Sequence, residues 1–208
     1  MTQADYKGIA DIIIDHDLLV INDEVYSELT YPCKHTAVAS LDGLYERTIT
    51  LNGFSKAYSM TGWRVGYLCA PKPLCEAALK IHQYVMLCAP IMGQIAAIEA
   101  LRNGEEDKKR MVGEYKLRRN FFIDGLTKIG LPCHMPEGAF YAFPSVEKTG
   151  LNDVEFAERL LSEQYIAVVP GSVFGRSGEG HIRCAYAVAR EDLKEAIKRM
   201  GSFIKGLS

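Results

Sequence analysis

GFSKAYSMTGWRVGY, residues Gly53 to Tyr67, decides how the rest of this 208-residue chain is read. Just ahead of it, Thr48-Ile-Thr-Leu51 is short, apolar and rich in β-branched residues, which predicts a buried strand. Asn52-Gly53 ends that strand and passes Lys56 into a loop, with Arg64 eight positions further on. A lysine delivered from the end of a strand stands at the rim of a sheet, where α/β proteins keep their ligands. The chemistry that calls for an amine there is imine formation, in which a desolvated lysine attacks a carbonyl carbon. A solitary lysine and arginine in a loop are ordinarily surface charges, so the weight lies on the segment as a whole.

On either side of this segment helix and strand patterns alternate. Thr2-Gln-Ala-Asp5 has capping-box form, and Tyr6, Ile9, Ile12 and Ile13 recur behind it at helical spacing. His16-Asp17 ends that helix. Leu18 to Ile21 is a continuous apolar run, the pattern of a parallel strand covered on both faces. Val65 to Ala70 predicts a third strand, and Pro71 and Pro73 mark the start of a helix from Leu74. Met92 to Arg102 predicts another helix, closed by Asn103-Gly104. Glu105 to Asn120 is strongly charged and reads as a long, largely exposed helix between domains. Beyond it come a turn at Pro136-Glu-Gly138, strands at Ala139 to Phe143, Ile166 to Val169 and His181 to Tyr186, and helices over Asp153 to Glu163 and from Arg190.

Composition removes several classes of partner. With 48% hydrophobic residues, 24% charged residues and a net charge of −2, there is no basic stripe for nucleic acid or an anionic membrane. The longest apolar run, Tyr84 to Gly93, is too short to span a bilayer and holds Pro90. No secretory signal opens the chain, so a cytoplasmic protein is expected. Cys33, Cys69, Cys75, Cys88, Cys133 and Cys184 form no CxxC pair, and several lie in apolar segments, which predicts reduced core thiols. The histidines lack ligand spacing, so no metal is expected. GRSGEG, Gly175 to Gly180, is neither a dinucleotide fingerprint nor a Walker loop.

The Gly53–Tyr67 segment, over about fifteen consecutive positions, resembles the pyridoxal-phosphate attachment segment of class I and II aminotransferases, the fold-type I family. The resemblance makes Lys56 the residue that holds the cofactor as an imine and moves the substrate proton. It makes Asp23, in Ile21-Asn-Asp-Glu-Val-Tyr26, the acid that keeps the pyridine nitrogen protonated, and Tyr26 the donor to the cofactor's phenolic oxygen. Arg64 becomes the clamp on the cofactor phosphate, where a forked guanidinium suits a dianion better than a point charge. Ser55 is a second phosphate candidate. The family often has serine three positions before the lysine, whereas this chain has Gly53, which removes one possible hydroxyl contact. PEGAFYAFP (Pro136 to Pro144) and PGSVFG followed by HIRCAYA (Pro170 to Ala187) resemble the family's small domain, which gives Arg183 the substrate α-carboxylate.

The fold implied is α/β: the C-terminal part of the pyridoxal-phosphate-dependent transferase fold. Residues 1–110 would be the remaining part of the large cofactor-binding domain, with a partial, mostly parallel sheet. Residues 111–208 would be a small α+β C-terminal domain that includes the interdomain helix. Asp23, Tyr26, Lys56 and Arg64 are expected at the C-terminal rim of that sheet, with Arg183 facing the same cleft. None of the eight prolines follows asparagine, so the family's upstream Asn-Pro motif is absent, along with its Gly-rich phosphate loop and ring-stacking aromatic. The chain therefore reads as a C-terminal fragment, incompetent alone, with sheet edge and apolar surface exposed near Leu18 to Ile21 and Thr48 to Leu51. The activity implied for the complete, homodimeric protein is ping-pong transfer of an amino group from an aspartate-type or aromatic L-amino acid to a 2-oxo acid. Two rivals remain open: a C–S lyase of the same fold, distinguished by pyruvate and ammonia release, and the aminotransferase-like sensing domain of a transcription regulator.

Overall fold

The strand that ends in Asn52-Gly53 is the centre of a three-stranded sheet in the computed structural model, which describes residues 3–32 and 34–207. Thr2 of the capping box and Cys33 lie outside the described residues. The chain divides into two units, Met1–Val112 and Gly113–Ser208.

In the first unit, α1 (Gln3–Asp15) turns Tyr6, Ala10 and Ile13 to one face, where they pack with Val20, Val38, Leu41 and Leu44. Asp17 takes a left-handed conformation (φ 47°) that ends the helical path, at the predicted break. β1 (Val20–Asp23) runs parallel to β2 (Thr48–Gly53), pairing Asp23 with Leu51. β3 (Gly66–Cys69) returns antiparallel to β2 and pairs Gly66 with Gly53. The sheet is therefore mixed, with one parallel and one antiparallel pair. Lys56 sits on a single helical turn, α2 (Phe54–Ala57), rather than in an irregular loop. α3 (Lys72–Val85) starts behind Pro71, and α4 (Ile91–Asn103) ends as the Gly104 amide donates to the Ala100 carbonyl.

Coverage of the first unit departs from the sequence expectation. β1 is not covered on both faces: Leu19 is 61% and Ile21 is 70% exposed. Thr48 to Leu51 is not exposed, because β2 has a strand on each side. The larger apolar surface lies on α3 and α4, where Tyr84 is 89% and Leu87 is 78% exposed, with Ile91 and Met92 beside them in sequence. Nor are the thiols uniformly core groups. Cys69 and Cys88 are exposed, Cys75 and Cys133 are half-buried, and only Cys184 among the described cysteines is buried, its thiol pushed up to about 12 by desolvation.

α4 packs closely on the segment after Lys56, where Ala97 joins Phe54, Met60 and Val65 in one buried cluster. The approach depends on Gly93: a Cβ there would stand 2.6 Å from Val65 Cγ2 and 2.9 Å from the Trp63 carbonyl oxygen. Gly93→Val should therefore destabilise this unit by about 2–3 kcal/mol, because overpacking against backbone outweighs the small gain in helix propensity. Trp63, the chain's one tryptophan, reports the change: its fluorescence midpoint in urea should fall. An unchanged midpoint would show that this contact is slack.

The second unit is built on an antiparallel sheet in the order β4 (Tyr141–Ala142), β6 (Ile182–Ala185), β5 (Val169–Pro170). Both outer strands are shorter than the sequence predicts. Pro170 has no N–H to give, and Ala139 turns left-handed (φ 58°) ahead of β4. The charged helix runs further than Asn120: α5 (Glu105–Lys128) continues because Phe122, Ile123 and Leu126 are buried in the second core. α6 (Asp153–Gln164) supplies Phe156 and Leu160 to that core, and α7 (Arg190–Lys205) supplies Leu193, Met200 and Phe203. Asn152 caps α6 by accepting from the Glu155 amide at 2.8 Å. β6 alternates strictly, with Ile182, Cys184 and Tyr186 buried, so Arg183 points to the other face.

Candidate active site

Strand direction brings the candidates together. Because β1 and β2 are parallel, Asp23 at the end of β1 and Gly53 at the end of β2 lie at the same end of the sheet. β3 is antiparallel, so its beginning lies at that end too, and Arg64 comes two residues before it. Asp23, Tyr26, Ser55, Lys56 and Arg64 all leave the sheet from this one rim. Lys56 Nζ stands 6.0 Å from the centre of the Tyr26 ring.

The two adjacent acids of Asn22-Asp-Glu24 have separate fates. Glu24 is buried, accepts from Asn22 Nδ2 at 2.6 Å and from the Val38 amide at 3.2 Å, and lies 3.2 Å from His35 Nε2. Asp23 is exposed at the strand end, with Oδ1 accepting from the Val25 amide at 3.1 Å. That bond shapes the turn that carries Tyr26, whose carbonyl accepts from the Leu29 amide at 2.9 Å. Asn52 ties the same turn to β2 by donating from Nδ2 to Ser27 Oγ at 3.1 Å.

Gly53 has a structural reason to stand where the family often has serine. A Cβ there would meet the Val65 carbonyl oxygen at 3.0 Å and Gly66 Cα at 3.1 Å. The Phe54 amide then donates to that Val65 carbonyl at 3.2 Å, which fixes the start of the Lys56 turn against the Arg64 segment. Arg64 itself is left-handed (φ 56°, ψ 46°), a conformation that costs a non-glycine residue about 1–2 kcal/mol. It is held there because Val65 is buried between Gly53 and Gly93. The Arg64 guanidinium is exposed, and Nη1 donates to the Thr61 carbonyl at 3.0 Å.

In the second unit the Arg183 guanidinium lies 4.7 Å from the ring centres of both Tyr141 and Phe174. Phe143 stacks on His181 at 5.3 Å and meets Phe174 edge-on at 6.2 Å. A guanidinium flanked by two rings loses little further freedom when it takes a carboxylate. Sequence reasoning named Arg183 but not its aromatic frame, although Tyr141 and Phe174 both lie in segments it had singled out.

It also missed Lys108 on α5. Lys108 Nζ bonds Glu28 Oε2 at 2.8 Å and Glu105 Oε2 at 2.9 Å, and lies 5.6 Å from the Tyr58 ring centre. Burial works to lower its basicity, yet the hydrogen bonds it donates to Glu105 and Glu28 carry it above the ordinary lysine range, so the ammonium stays charged. Burial first, then the nearby Cys69 and Glu28, raise the Tyr67 hydroxyl.

The rim carries an amine, a carboxylate, a phenol, and an arginine with a neighbouring hydroxyl, groups that could together take an anionic aromatic aldehyde. Pyridoxal phosphate fits it. Among the described residues no group of three or more His, Cys, Asp or Glu could hold a metal ion, and no helix is long and apolar enough to cross a membrane.

Comparison with known proteins gives the same direction. A family model described as aminotransferase class I and II matches residues 1–200. An aspartate aminotransferase of Pyrococcus abyssi is 46% identical over 99% of this chain and 54% of its own length. Aromatic-amino-acid aminotransferase 2 of Thermococcus litoralis is 44% identical, with 99% of this chain and 54% of that protein covered. The solved structure of an aromatic aminotransferase from Pyrococcus horikoshii superposes with a TM-score of 0.95 at 44% identity, covering 99% of this chain and 56% of that one. The chain spans about half the length of the curated relatives it matches. It belongs to the class I and II aminotransferase family.

Proposed function

We propose that this chain carries the cofactor-attachment and carboxylate-binding residues of a pyridoxal-phosphate-dependent aminotransferase, which transfers an amino group from an aspartate-type or aromatic L-amino acid to a 2-oxo acid. The observation that carries this reading is the shared rim: Asp23, Tyr26, Lys56 and Arg64 at one end of one sheet. When bound, the cofactor supplies an electron sink for the charge left at the amino acid's Cα. Lys56 Nζ would hold the cofactor and, once the substrate amine has displaced it, the freed amine would take the Cα proton as a general base. The Asp23 carboxylate holds the proton on the pyridine nitrogen, and the Tyr26 hydroxyl donates to the phenolic oxygen. Arg64, with Ser55 beside Lys56, takes the phosphate. Arg183, stiffened by Tyr141 and Phe174, grips the substrate α-carboxylate by a two-pronged hydrogen bond. The complete protein is proposed to be cytoplasmic and a homodimer, the second of these supported by the exposed apolar surface of α3 and α4.

The test is covalent mapping. Treating the protein with pyridoxal phosphate, reducing with cyanoborohydride and mapping peptides should put the label on Lys56 ahead of exposed lysines such as Lys72 and Lys109. Lys56→Ala should remove that label alone. Labelling spread evenly over the exposed lysines would defeat the proposal.

A further inference from the structure

Two loops that carry the site converge on one half-buried ammonium. The first unit's turn from Asp23 to Leu29 ends beside Glu28, and the Lys56 turn ends at Tyr58. Glu28 and the Tyr58 ring both meet Lys108, at 2.8 Å and 5.6 Å. The Lys108 side chain is only 12% exposed, and Glu105 completes its partners from one helical turn back. Asn52 and Ser27 tie the first turn to β2 from its other side. The phenol and the amine that must face one cofactor are thus carried on segments pinned at both ends.

We infer that Lys108 is a positioning residue: through Glu28 and Tyr58 it sets the separation of Tyr26 and Lys56, and so presents the amine for attachment. The inference rests on the cofactor reading above. An isolated surface ion pair would do little of this, because solvent screens it and two flexible chains must be ordered for one contact. Lys108 differs in being half-buried, with its side chain 12% exposed, in having two carboxylates and a ring face at once, and in standing on a long helix rather than a loop. A network of this kind fixes geometry, and attachment chemistry is sensitive to geometry.

The experiment uses the 208-residue chain, pyridoxal phosphate and cyanoborohydride, and reads the rate at which Lys56 is labelled, well below each variant's thermal midpoint. Lys108→Met should slow labelling of Lys56 roughly ten-fold, since small misplacements of reacting groups cost that much or more. Glu28→Gln should slow it similarly, and the double variant should be no slower than either single one, because both remove one clamp. Lys108→Arg, which keeps the charge and its reach, should recover the rate to within about three-fold. Without any cofactor, amide exchange over Val25 to Leu29 should quicken in Lys108→Met and not in Lys108→Arg. Equal labelling rates in Lys108→Met and the unaltered chain would overturn the inference alone. So would a loss that tracks the thermal midpoint and that arginine does not restore. Absence of label on Lys56 in the unaltered chain would instead overturn the cofactor reading, and this inference with it.

Discussion

Supplied with saturating pyridoxal phosphate, an amino donor and 2-oxoglutarate, the 208-residue chain should show background turnover alone and measurable transamination once the complementary half of a relative is added. The chain covers 54% of the Pyrococcus abyssi relative, and that protein's remaining residues are a suitable second component. Both outer strands of the first sheet are open edges, and Ile21, Tyr84, Leu87, Ile91 and Met92 are exposed together with them. On the proposed reading this chain offers the phosphate Arg64 and Ser55, while the family resemblance puts the Gly-rich phosphate loop and the stacking ring elsewhere. Losing two hydrogen bonds to a charged group, at about 1.5–3 kcal/mol each, weakens binding roughly 10²–10⁴-fold. Size-exclusion chromatography should show self-association of the chain alone, relieved on mixing. Robust turnover by the chain alone would overturn this expectation.

Asp23→Asn should cost the assembled enzyme roughly 10²–10³-fold in kcat, by analogy with removal of one preorganised electrostatic partner in an active site. The substitution is clean. An asparagine Oδ1 can still accept from the Val25 amide, as Asp23 does at 3.1 Å, so the turn to Tyr26 keeps its shape. What changes is the charge: a neutral amide cannot hold a proton on the pyridine nitrogen. The thermal midpoint should stay within a degree or so of the parent, since the side chain is exposed and its one mapped bond survives. Turnover within two-fold of the parent would remove Asp23 from the site. The neighbouring Glu24→Gln should behave oppositely, lowering stability because Glu24 is buried against Asn22, Val38 and His35.

That pair of acids shows where sequence stops being informative. Asp23 and Glu24 are adjacent and chemically alike, and only the Asp-x-x-Tyr spacing favoured one of them. The pleat separates them: successive side chains leave a strand on opposite faces, so one carboxylate enters the unit and the other stands at the rim. Lys108 was illegible for a different reason. It lies 52 residues after Lys56 in a helix crowded with Glu105, Glu106, Asp107, Lys109 and Arg110, where periodicity singles out no one charge.

By itself the sequence determined the local events: the break after α1, the strand ending in Asn52-Gly53, the proline starts of α3 and the glycine stop of α4. It also determined the lysine segment, whose family resemblance rests on residues adjacent along the chain. Tertiary structure alone decided the direction of β3, which brings Arg64 to the rim, and the left-handed Arg64 held by Val65 between two glycines. It alone decided how far β1 is covered, how long α5 runs and which cysteine is buried. The division has a physical cause. Caps, turns and strand ends are settled by neighbours within about four positions, as in helix and turn hydrogen bonding. Burial and strand direction are settled by which distant residues arrive on the other side.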